Sequence, residues 1–232
     1  LIGILLPALG QARTRAQSIS ELSKLRNLGF AASSYAESND GLMPISSHSA
    51  NFGFSWFKNG FPWAQALYAY FAGDTFDPLD PPTDEAWARA VNTYYRSPLD
   101  RTEEVEPGEK PATANPRVSF GQSVYFDLIT GLELEGDLRD PPARPYRRLV
   151  RVLYPSRTVH AASRTTGPEN GHSDHHMAHQ WKNAPEPGGT VAKDRHGSGA
   201  GFVMLDGHAE VMRFEDSFDQ GRKRDLWDPD GF

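Results

Sequence analysis

The chain has 232 residues, a formal net charge of −6 and no cysteine. These facts exclude disulfides, thiolate metal sites and a nucleic-acid binder that works through a dominant basic face. With 13 Phe, 8 Tyr and 5 Trp set among 18 Pro and 21 Gly, it has the apolar content for a loop-rich globular body that needs no disulfide.

The first element runs from Leu1 to about Ser38. Leu1, Ile2, Ile4, Leu5, Leu6, Ala8 and Leu9 form an apolar head interrupted by Gly3 and Pro7. Gln11, Arg13, Thr14, Arg15 and Gln17 then turn the chain polar, while Ala12, Ala16 and Ile19 keep a helical beat. Neither Gly nor Pro falls between Gly10 and Gly29, so one long helix is expected. At 100° per residue, Ala12, Ala16, Ile19 and Phe30 share one face, and Leu25, Leu28, Ala32 and Tyr35 cluster roughly opposite. Two apolar faces imply two partners: the chain's own body and a neighbour. The head is under half of the about 20 apolar residues that a membrane span needs.

The run Ile4-Leu5-Leu6-Pro7-Ala8-Leu9, followed by a basic polar helix with Ser23-Lys24-Leu25-Arg26-Asn27-Leu28-Gly29, resembles the N-terminal helix of type IV pilins and type II secretion pseudopilins. Pro7 resembles that segment's helix-kinking proline. The resemblance implies that about 15 residues precede Leu1, completing a span of about 20 or more. It also implies processing by a prepilin peptidase, methylation of the new N-terminal Phe, and an inner-membrane anchor that later packs in a filament. The assembly residues it implies are Leu5, Leu6, Pro7, Leu9, Ala12, Ala16 and Ile19. Arg13, Arg15, Lys24 and Arg26 against Glu21 make this helix basic. The positive-inside rule places such a segment in the cytoplasm, whereas the resemblance places it outside.

Asn39-Asp40-Gly41 ends the helix with turn chemistry. The stretch Ser34 to Pro44 is similar to a segment that follows the helix in pseudopilin-like proteins. Asn51 to Gly60 is aromatic and reads as loop or short strand. Pro62 opens a helix that Gly73 closes, with Trp63, Leu67 and Tyr70 on its apolar face. Trp-rich patches can bind sugars, but buried core is the reading here. Asp77 to Asp84 is a Pro-rich linker, and Thr83 caps a helix through Trp87 to Val91. Ser97-Pro98-Leu99-Asp100 resembles the family's Cys-Pro-x-Asp segment, with Ser in place of Cys. Glu103 to Arg117 and Gly136 to Arg148 read as exposed loops. Val118 to Leu128 and Val150 to Ala162 have strand composition. The second holds Pro155-Ser156-Arg157-Thr158-Val159, which resembles another short family segment.

His172, Asp174, His175, His176 and His179 crowd residues 172–179. His172/His176 and His175/His179 have the i, i+4 spacing of metal-binding helices, but no Glu supplies the base of a zinc hydrolase. Gly and Pro on both flanks favour a solvated polar loop. A divalent-metal site from these histidines and His208 is the rival, and no cofactor is expected. No Gly-x-Ser-x-Gly appears, no catalytic residue is assigned, and an enzyme is not expected.

The sharpest motif closes the chain: His196, nine residues, then Asp206-Gly207. It matches the C-terminal motif of a large group of prepilin-processed proteins. Asp-Gly between alternating runs predicts a two-residue hairpin turn with φ > 0 at both positions. The predicted pairs are Leu205–His208, Met204–Ala209, Val203–Glu210 and Phe202–Val211. The dry face is Phe202, Met204, Ala209 and Val211, packed beneath Leu25, Leu28 and Tyr35. His208 and Glu210 are wet. Backbone geometry accounts for Asp206 and Gly207 but not for His196. A hydrogen bond to the turn or the preceding loop is one role for it, and a metal site with Asp206 and His208 is another.

The expected fold is α+β: a long N-terminal helix (1–38) on a globular body (39–232) with an antiparallel sheet of about four strands, pilin-like and loop-rich. The function implied by the resemblance is that of a structural pilin-like or pseudopilin subunit. Its partners would be itself or other pilin-like subunits, the inner membrane and the prepilin peptidase, with no nucleic acid. It would sit in the cell envelope with an extracytoplasmic domain, or in an extracellular filament. A metal-dependent enzyme using the histidine segment and an envelope-anchored binding module using the Trp-rich middle are the alternatives.

Overall fold

The computed structural model describes residues 2–46, 62–72, 84–101, 118–126, 148–165 and 174–230. Helix α1 covers Ile2–Ser38, with Pro7 inside it. It ends as its residues require: Asp40 and Gly41 take φ of 55° and 76°, and the Gly41 N–H returns to the Ala36 carbonyl at 2.7 Å. Among the described residues no helix is long and apolar enough to cross a membrane.

Helix α2 (Pro62–Ala72) lies against α1. Trp63, Leu67 and Tyr95 are buried, and Trp63 meets Tyr95 edge-on at 5.5 Å. The Trp63 indole N–H donates to the Asp174 carbonyl at 2.8 Å, and the Tyr95 hydroxyl to the Ala64 carbonyl at 2.6 Å. Short helix α3 (Asp84–Ala90) continues into one π-helical turn, Val91–Tyr95. Lys24 reaches from α1 to the Asn92 and Thr93 carbonyls at that turn, at 3.1 and 2.6 Å.

The main sheet is mixed and five-stranded, in the order β3-β1-β2-β4-β5. The strands are β1 (Phe120–Ser123), β2 (Val159–Ser163), β3 (His175–His176), β4 (Ala200–Met204) and β5 (Ala209–Met212). Three pairings are antiparallel, but β3 joins β1 in parallel. The α+β class holds and the purely antiparallel sheet does not. A two-residue strand added by a distant segment leaves no periodicity to read. Helix α4 (Phe214–Ser217) and the small hairpin β6 (Phe218–Asp219) and β7 (Arg224–Asp225) follow. The segments 51–60 and 103–117, the Thr83 cap and His172 lie outside the described residues, as do nearly all of 77–84 and 136–148.

The β4–β5 hairpin differs from expectation by one residue. Val203 pairs with Ala209, Phe202 with Glu210 and Gly201 with Val211. The Met204 N–H bonds the His208 carbonyl at 2.9 Å, leaving a three-residue loop of Leu205, Asp206 and Gly207. Within this loop Gly207 alone has positive φ, 88°. That is the turn in which one left-handed Gly follows a type I turn, and it suits Asp-Gly as well as the two-residue form does. The slip exchanges the faces. Gly201 and Val203 face α1, whereas Phe202 points away to Trp227, with ring centroids 6.0 Å apart. Val211, expected in the core, is 40% exposed at the sheet edge.

Behind that second face Trp227, Trp181, Phe214, Phe218 and His176 form an aromatic cluster, with Trp181 and Trp227 at 4.7 Å. Phe202→Ala opens a cavity beside Trp227, so we expect a loss of about 3–5 kcal/mol in a chemical melt. Tyr35→Ala, on α1 across the sheet, should leave the tryptophan fluorescence that reports this cluster unchanged.

Candidate functional site: the clamp on the N-terminal helix

Glu21 sits one turn before Leu25 on the buried face of α1 and is fully buried. A buried carboxylate is tolerable only where donors surround it. Here they come from distant segments. The hydroxyls of Ser97 and Ser163 donate to its two oxygens, and His196 Nε2 lies 3.0 Å from Oε1. A carboxylate only accepts, so Nε2 carries the imidazole proton, and in the neutral ring Nδ1 accepts from the Ser18 hydroxyl at 3.1 Å.

Arg195 braces the same corner. Its guanidinium donates to the Ser119 and Arg164 carbonyls at 3.1 and 2.6 Å and lies 3.4 Å from Asp100. Asp100 accepts from the Ser119 hydroxyl at 2.6 Å, and Gln17 on α1 donates to the Pro98 carbonyl at 3.1 Å. The segment Ser97 to Asp100, the end of β2 and the start of the C-terminal motif therefore converge on one turn of α1. Burial pushes the Glu21 pKa up. The hydrogen bonds from His196, Ser163 and Ser97 and the charge of Arg195 outweigh that and hold it below its ordinary value of 4.5.

The far end of the motif also reaches α1. A Cβ on Gly29 would meet Val203 Cγ2 at 2.9 Å and the Gly207 Cα at 3.0 Å. A Cβ on Gly201 would meet Leu25 at 2.7 Å and Glu21 Oε1 at 3.0 Å. Small residues on both surfaces let helix and strand approach closely. His196 thus serves α1 through its ring, rather than the turn or the preceding loop. Asp206 organises its own turn, accepting the His208 N–H at 3.1 Å and pairing with its ring at 2.7 Å. His208 and Glu210 are wet, as expected.

In its described part, Asp174 to His179, the histidine segment is not the solvated loop expected. Asp174, His176 and His179 are fully buried. His176 donates from Nε2 to the Ala162 carbonyl at 3.3 Å and accepts the Thr190 hydroxyl at Nδ1, 2.8 Å. Burial lowers its pKa to about 3 and the neighbouring charge of Arg164 adds to this, so the ring stays neutral. His175 pairs with Asp174 at 3.1 Å, and His179 packs edge-on to Tyr125 at 6.4 Å. His176, buried and neutral, acts here as a flat, hydrogen-bonding core side chain. Among the described residues no group of three or more His, Asp or Glu is placed to hold a metal.

Ser18, His196 and Glu21 are linked hydroxyl to imidazole to carboxylate, the order that activates a serine nucleophile. Ser18, however, lies inside α1, where the surrounding backbone N–H groups are spent on helix bonds and offer no oxyanion donor. The arrangement holds a helix in place.

Of the assembly residues, Leu6, Pro7, Leu9, Ala12, Ala16 and Ile19 are all exposed, Leu9 at 68%. The Leu5 side chain lies outside the described residues. From Leu6 to Ala16 the helix is exposed all round, and Phe30 continues the outward face. A groove of about 510 Å³ beside this face is lined by Ala16, Ile19, Lys24, Phe71 and Tyr94, among others.

A carboxylate whose folded pKa lies below its unfolded value stabilises the fold above that value, and the contribution fades as pH falls through the folded pKa. Denaturation from neutral pH to about pH 3 should therefore show acid loss that Glu21→Gln flattens. Comparing the two proteins cancels the shifts of Asp216 and Asp225, which both retain. His196→Ala should cost about 2 kcal/mol at neutral pH, because the carboxylate loses a charge-assisted donor.

Comparison with known protein families, curated proteins and solved structures finds no match for this chain.

Proposed function

We propose that this protein is a structural, pilin-like or pseudopilin subunit that assembles through α1 in a type II secretion or type IV pilus-like system. Its N-terminal segment, processed by a prepilin peptidase and methylated, would anchor it in the inner membrane before assembly. The observation that carries the reading is the asymmetry of α1. Leu25, Leu28 and Ala32 are buried in the body while Leu6, Leu9, Ile19 and Phe30 stand exposed on the same helix. At 100° per residue Leu9, Ile19 and Phe30 fall within about 80° of one another, and exposed apolar residues repeated along one helix face suit a helix-packing partner. The clamp supports the same reading, since it fixes how the helix leaves the body. The groove beside Ile19 is where a neighbour's helix would rest.

The burial of His176 against Trp181 and Trp227, and of His179 against Tyr125, weighs against the metal-enzyme alternative. The sugar-binding alternative loses Trp63 and Trp87 as platforms, because both are buried.

The chain has no cysteine, so introduced ones report cleanly. Leu9→Cys and Ile19→Cys, each alone, should give oxidised dimers, and the two together higher ladders, in membranes of cells making the full-length protein. Glu210→Cys, exposed on β5, should not. Equal cross-linking at all three positions, or none, would remove the assembly reading.

A further inference from the structure

We propose that the segment 148–157 is a docking surface for anionic lipid, separate from the helix and independent of assembly through it. The segment carries two 3-10 turns, Leu149–Arg151 and Pro155–Arg157. Val150 is 85% exposed and Leu153 78%, the two most exposed large hydrophobics among the described residues. Tyr154 beside them is also exposed. Val152 is buried and Leu149 packs against the core, and together they anchor the segment.

Aliphatics are rarely held out in water in such a cluster without a surface to meet. What surrounds them identifies that surface. Residues 148–157 contain Arg148, Arg151 and Arg157 and no acid, in a chain of net charge −6. All three arginines are exposed. Arg148 also donates to the backbone carbonyl of Asp40 at 2.5 Å. Protruding aliphatics, an amphipathic Tyr and interleaved arginines form a pattern for the headgroup–acyl boundary. The aliphatics enter the boundary, and the guanidinium groups stay with the phosphates. A flat acidic protein face would satisfy the arginines but leave Val150 and Leu153 in water.

The position adds to the case. Leu149 and Arg148 bond the turn at Gly41 and Leu42, just past the end of α1. A helix of 37 residues is about 55 Å long. The patch therefore stands at the opposite end of the molecule from the apolar head, too far to be an extension of it.

The test is flotation of residues 1–232 with vesicles, with Leu6→Gln and Leu9→Gln present throughout so that the head does not bind. Vesicles of phosphatidylcholine alone are compared with vesicles that also contain phosphatidylglycerol. We expect binding to the anionic vesicles only, weakened by high salt. Each arginine near such a surface contributes about fivefold, so Arg151→Ser with Arg157→Ser should lower partition about 30-fold. Leu153→Asp should abolish it with the charge pattern otherwise intact. These positions are exposed, so melting curves should match the parent. Equal binding to both vesicle types, or anionic binding that both variants retain, would overturn the proposal. So would variants that lose self-association while keeping vesicle binding.

Discussion

The structure depends on one buried carboxylate. Glu21 is out of water in the middle of the molecule, and what makes this tolerable is its set of donors: Ser97, Ser163 and His196. None of them is near Glu21 in sequence. The loop after the π-helical turn, the end of β2 and the approach to β4 must all be in place before the charge is satisfied. Until then the fold carries an uncompensated charge costing several kcal/mol. Helix and body are therefore coupled. The half of α1 from Glu21 to Ala36 belongs to the core rather than being an appendage to it.

Apolar contacts alone would hold this helix less definitely. Leu25, Leu28 and Ala32 could slide against a sheet by one turn, about 5.4 Å, and find similar burial. Directional hydrogen bonds to a single carboxylate do not tolerate that slip. A buried polar group retained for register, at some cost in stability, is the best-attested use of such a device. Register matters here because the first half of α1 projects from the body. A small rotation at Glu21 would swing the exposed stripe at Leu6 and Leu9 to a different side.

Much of this was legible in the residues, and the failures have physical causes. The two faces of α1 were readable because an apolar stripe at helical spacing has few other meanings. The helix opened by Pro62 and the hairpin around Asp206-Gly207 were likewise visible. Glu21 was missed because an acid on a basic helix reads as a solvated charge. The available signal was its place in the series Glu21, Leu25, Leu28, Ala32, inside the buried stripe. The hairpin register slipped because Asp-Gly suits both a two-residue turn and a three-residue loop in which Gly alone is left-handed. The histidines were misplaced because Gly and Pro flanks resemble those of any loop, while burial of His176 depends on Trp227, which the chain brings in from elsewhere.

The spacing between His196 and Gly207 follows from matching a strand to a helix. β4 runs along α1, with Gly201 under Leu25 and Val203 under Gly29. Two strand residues advance about 6.6 Å and four helical residues about 6 Å, so strand and helix stay in step. His196 meets α1 at Glu21 and Gly207 meets it at Gly29, about 12 Å further along. One residue more or fewer between them could not be absorbed within β4. It would turn Gly201 and Val203 away from the helix and bring Phe202 against it, where no room exists for a side chain beside Leu25. If the residue were taken up before the strand, the imidazole would leave Glu21. The nine residues between His196 and Asp206 measure the length of helix that the motif holds.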